Sequence, residues 1–134
     1  MPEPVVAPVR TIFRAIARAV VPETGALGES QWLDLEGIVE DALAQRPAKV
    51  RRQLGLLIRA IETLPLLSTG RRFTGLDVER RTRFLTTLQN SPVLLLRRGV
   101  WGLRTLVFMG YYARPEVAAL IGYRADVRGW EARP

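Results

Sequence analysis

The side chains in this sequence best suited to chemistry are arginines and aromatics, and the chemistry they offer is recognition. Arg10, Arg14 and Arg18 recur every four residues, which places them on one face of a helix. Like charges at that spacing cost a few tenths of a kcal/mol per pair unless something answers them. The answer is an acidic partner surface, solvent, or the acidic second helix of the same chain. Arg97, Arg98, Trp101, Arg104 and Thr105 form a second stripe, with Trp101 one turn from an arginine on either side. A Trp among guanidinium groups can stack or make cation–π contacts, and both residue types are enriched at interface hot spots. The competing reading is an amphipathic helix whose Trp caps the edge of the core. Tyr111, Tyr112, Tyr123, Arg128 and Trp130 make the third set, spread over a helix end and the C-terminal segment. Tyr and Trp join an apolar body to a polar tip, so this set suits a docking arm, or else a tail that folds back and completes the core.

Catalytic chemistry has few materials here. The chain has no His and no Cys, which removes thiolate nucleophiles, disulfides, Cys-based zinc sites and the commonest general base. It has no GxGxxG or GxxxxGK[ST] phosphate loop and no GxSxG elbow. Asp34, Glu36, Glu40 and Asp41 look like a solvated helix face and match no calcium-loop spacing. The expectation is therefore a chain with no catalytic, metal or cofactor-binding residues of its own.

The 134 residues, 48 % of them hydrophobic, suffice for a single domain with its own core. The expected division is one helical domain over 1–134, with a flexible N-terminus at 1–9 and a tail at 123–134. The formal charge is +7, carried by arginine apart from Lys49, and favours acidic partners. Nucleic acid or an anionic membrane surface would meet that description, so a basic helical binding module is the alternative function. The basic residues are spread over several helices without a helix-turn-helix pattern, which argues against nucleic acid. The opening Met1-Pro2-Glu3-Pro4 lacks the basic and apolar regions of a signal peptide. The most membrane-like stretch, 93–112, contains Arg97, Arg98 and Arg104, each costing about 2.5–3.5 kcal/mol near the centre of a span. It is expected to be a buried or interfacial helix, and the protein to be cytoplasmic.

Helical periodicity covers almost the whole chain. A first helix is expected over about 11–21, ended by Pro22, with Ile12, Phe13, Ile16 and Val20 on one face. Ser30 is the expected N-cap of a second helix over 31–45, whose stripe is Trp32, Leu35, Ile38, Val39, Ala42 and Leu43. Pro47 opens a third at 48–64, with Val50, Leu54, Leu57, Ile58 and Ile61 in line. A connector over 65–75 leads to Asp77, the expected N-cap of a fourth helix that ends near 90 with Phe84, Leu85 and Leu88 inward. Ser91 and Pro92 are expected to start a long fifth helix reaching Tyr112, and a short sixth is expected over 115–122. The fold class that follows is all-α: a compact bundle of five to six helices, with the long apolar fifth helix central and an irregular aromatic C-terminal tail.

The chain resembles the gluconate 2-dehydrogenase subunit 3 family, small helical companions of flavin-dependent oxidoreductases of the glucose–methanol–choline type. The resemblance is carried by Ile16-Ala17-Arg18-Ala19-Val20-Val21-Pro22, by Phe73 with Leu76-Asp77-Val78-Glu79-Arg80, and by Tyr111-Tyr112 with the run from Ile121-Gly122-Tyr123 to Gly129-Trp130. It implies a cofactor-free subunit that binds and stabilises a large FAD-carrying partner oxidising alcohols, sugars or steroids. Isolated, a subunit of that kind is expected to expose an apolar patch, through which it can self-associate. Many members carry a twin-arginine export signal, which this sequence lacks. The resemblance transfers no catalytic residue.

Overall fold

The computed structural model describes residues 4–113. Within them the chain is all-helical: α1 (Arg10–Val20), α2 (Glu29–Ala44), α3 (Ala48–Thr63), the single turn α4 (Leu66–Thr69), α5 (Val78–Gln89) and α6 (Leu94–Tyr112). Three short 3-10 turns, Ala7–Val9, Pro22–Ala26 and Phe73–Gly75, join them. The short sixth helix expected over 115–122 and the tail lie outside the described residues.

The central helix is α1, not α6. Phe13, Ala15, Ile16, Ala17 and Val20 of α1 are all buried, and α1 packs against α3, α5 and α6 together with the 3-10 turns around it. Ala15 and Ala17 let neighbouring helices approach on sides that larger residues would hold off. Val21 is extended, as the residue before a proline must be, and Pro22 ends the helix as expected. The long α6 buries one face, through Val100, Leu103, Val107 and Gly110, and packs against α1, α2, α3 and α5. Leu94, Leu95, Trp101, Phe108 and Met109 of the same helix are exposed. Its apolar content thus measures an uncovered surface, not centrality.

Boundaries differ from the sequence expectation where side chains compete for the same end. The cap of α2 is Gly28: its N–H donates to Gln31 Oε1 at 2.9 Å, so the helix begins before Ser30. The cap of α6 is Val93, whose N–H donates to Ser91 Oγ at 3.1 Å, and Pro92 precedes the helix. Asp77 caps α5 as expected, accepting from the Arg80 N–H at 2.8 Å. Gly70 closes α4 with φ 73°, a left-handed conformation suited to glycine. Residues 5–9 pack onto the bundle through Val5, Val6 and Val9. Val6 and Val9 are buried, and the N–H groups of Val5, Val6 and Ala7 all donate to the Glu40 carboxylate.

The connector before α5 carries a core plug. Phe73 is fully buried and meets the tilted ring of Phe84 at 6.1 Å. Glu62 accepts from the Thr74 N–H and hydroxyl at 2.8 and 2.9 Å, fixing the loop from the α3 side. Arg81 closes it from α5, donating to the Phe73 and Thr74 carbonyls. Burial lowers the Arg81 pKa from its ordinary value.

Candidate docking surface

The sequence-predicted site residues separate into two groups in space. Arg10, Arg14 and Arg18 turn toward α2. Glu36, only 3 % exposed, accepts from Arg10 Nε at 2.6 Å and from Arg14 Nε at 2.5 Å. The terminal nitrogens of Arg14 reach Glu29 in a two-point pair at 2.9 and 3.0 Å. Arg14 and Arg18 also lie over the buried Trp32 ring, at 5.3 and 5.4 Å from its centroid. The bond to Glu29 is the largest cause that raises the Arg14 pKa, and the same bond holds the Glu29 carboxyl below its ordinary range. Of the three readings open for this stripe, the structure shows pairing within the chain. The acidic face of α2 is accordingly not all solvated: Glu36 is buried, and Glu40 holds the N-terminal segment.

The second group sits on α6, with Arg97, Arg98, Trp101 and Thr105 exposed and Arg104, Tyr111 and Tyr112 half-buried; Tyr111 packs against the core. Trp101 is 52 % exposed, with the Arg104 guanidinium 5.8 Å from its ring centroid. Phe108 stacks on Tyr112 at 6.0 Å, and Tyr112 meets Tyr111 edge-on at 5.0 Å. Arg97 and Arg98 are both exposed. Arg104 Nε is buried and lacks a hydrogen-bond partner among the described residues. The expected stripe divides along the helix: Arg98 and Thr105 edge a groove toward α3, while Trp101 and Arg104 pair with one another. Tyr123, Arg128 and Trp130 lie outside the described residues.

That groove is the feature sequence reasoning missed. It runs between α3 and α6, with Leu43 and Arg46 also in its lining, and has a volume of about 690 Å³. Leu54, Leu57, Leu96 and Leu106 line it, and Leu56 and Leu95 stand at its mouth, each 65 % exposed. Two glycines of α6 shape it. A Cβ at Gly99 would fall 2.5 Å from Leu57 Cδ2, so the two helices touch there. A Cβ at Gly102 would meet nothing within 4 Å, so the groove stays open beside it. The only charged residues lining it are Arg46 and Arg98, and neither forms an ion pair among the described residues. The available signals were Leu56, off the α3 stripe, and the run Leu94-Leu95-Leu96, too apolar for one face.

Among the described residues no group of three or more acidic side chains could hold a metal ion, and no helix is long and apolar enough to cross a membrane. Compared with protein-family models, curated proteins and solved structures, the chain has no match.

Proposed function

We propose that this chain is a non-catalytic accessory subunit that binds and stabilises a larger FAD-dependent oxidoreductase of the glucose–methanol–choline type. The observation that carries the docking half of this reading is the uncovered apolar surface of α6, where Leu95, Trp101, Phe108 and Met109 are exposed and Leu95 also lines the α3/α6 groove. Contiguous apolar surface rimmed by polar residues marks an interaction site. Trp and Arg are the side chains that most often dominate such sites. The flavoprotein half rests on the sequence resemblance. Several residues that carry it, Ile16, Ala17, Val20, Val21, Phe73 and Leu76, are core positions of this bundle.

In mechanism the chain would act by mass action. A partner that binds only the folded state stabilises it by about 2.7 kcal/mol when present at a hundredfold excess over Kd. The same linkage holds for the partner, whose uncovered apolar patch is removed from water. The reading carries with it a cytoplasmic site of action, at the membrane only through the partner.

The test is an affinity pull-down of the tagged chain from its native cells, with an absorbance spectrum of the eluate and identification of its bands by mass spectrometry. The expected eluate is yellow, shows oxidised-flavin bands and contains one large partner. A colourless eluate, or nucleic acid released steeply by moderate salt, would overturn the reading in favour of a basic binding module.

A further inference from the structure

We infer that the α3/α6 groove receives a single amphipathic helix of the partner, about three turns long, whose apolar row is flanked by carboxylates. The inference rests on the docking half of the proposed function and specifies its chemistry. The groove walls are two helices and offer no sheet edge, so its ridges suit a third helix and not an added strand. It is lined over residues 50–60 of α3 and 95–106 of α6. At 1.5 Å per residue that is about 16–18 Å, or roughly three turns. The floor is leucine, which calls for apolar residues at i, i+3 or i+4, and i+7 on the incoming helix.

Charge selects among the occupants. Arg46 and Arg98 are the charged residues of the lining, and Lys49, Arg52 and Arg97 are exposed on the same helices. A guanidinium fork pairs in two-point fashion with a carboxylate, so the flanks of the occupant are acidic. A second copy of this chain would bring a net charge of +7. The segment 114–134 has four arginines against three carboxylates and brings no acidic excess. A partner helix with Glu or Asp beside its apolar row meets both the floor and the rim.

The test uses the full chain and two fluorescein-labelled 18-residue helical peptides. Both carry Leu at i, i+3, i+4 and i+7; one has Glu on its flanks and the other Lys. Binding is read by fluorescence anisotropy. The Glu peptide is expected to bind in the micromolar range, and the Lys peptide at least tenfold more weakly. Gly102→Trp should fill the groove without touching the core and lower affinity at least tenfold. Leu56→Glu, at an exposed position, should do the same by a different route. Arg46→Glu combined with Arg98→Glu should reverse the peptide preference. Equal binding of both peptides, no binding of either, or binding indifferent to Gly102→Trp would overturn the inference. So would a photo-crosslinker at position 56 that captures residues 114–134 or a second copy. Co-purification of a flavoprotein alongside failed peptide binding would leave the proposed function standing and place its docking elsewhere.

Discussion

The two arginine-rich regions of this molecule use the same residue types for opposite ends. Between α1 and α2, three arginines, one Trp and two carboxylates form a closed clamp in which Arg10 and Arg14 are paired by Glu36 and Glu29. Between α3 and α6, Arg46 and Arg98 border an apolar groove and pair with no carboxylate among the described residues. Helical spacing of arginines therefore does not by itself mark an interface. What separates the regions is whether the chain supplies the carboxylate. In the clamp it does, and the burial of Glu36 makes the pairing obligatory.

The largest expected effect follows from removing that carboxylate. Glu36→Ala should lose about 3 kcal/mol of stability, because two charge-assisted hydrogen bonds, from Arg10 and from Arg14, are lost together. Leu56→Glu in the open region should stay within about 0.5 kcal/mol. Chemical denaturation measures both, and comparable losses would break the contrast. The next contrast lies within α6. A Cβ at Gly110 would meet Val39 Cγ2 at 3.0 Å and the Leu35 carbonyl at 3.2 Å. Gly110→Val should therefore cost about 1–3 kcal/mol. Gly102→Ala, with open space around it, should stabilise by about 0.5–1 kcal/mol. Thermal melting of the pair should give shifts of opposite sign.

The smallest effect sharpens the clamp itself. The bond from Arg14 holds the Glu29 carboxyl below its ordinary pKa. A lowered folded-state value gives stability that is present above the unfolded value of about 4.3 and lost as pH falls through the folded one. The stability difference between the wild-type chain and Glu29→Gln should be level near neutrality and narrow below about pH 4. Because Glu29 is exposed and screened, that difference should be small and should shrink further in salt. A gap that widened on acidification would contradict the clamp geometry.

Much of the bundle was legible in the sequence. Pro22 ends α1, Asp77 caps α5, and the buried faces Trp32–Leu35–Val39–Leu43 and Leu57–Ile58–Ile61 follow the helical period. The centre was not legible, because periodicity reports how apolar a helix is and not how completely its neighbours cover it. The small residues Ala15 and Ala17 are what allow α1 to be surrounded, and they carry little hydropathy. Glu36 was masked by its charge, although it falls one turn from Trp32 and Val39 on the buried stripe. The groove was illegible for a different reason. Its walls lie some forty residues apart in sequence, and it opens beside Gly102, next to the point where Gly99 meets Leu57.

The measurement that tests the account most directly is the flavin absorbance that co-purifies with the wild-type chain and with Gly102→Trp from the native cells, at equal yield of each. The account predicts a flavin band with the wild type and at least a tenfold weaker one with Gly102→Trp. Equal flavin with both, or none with the wild type, would contradict it.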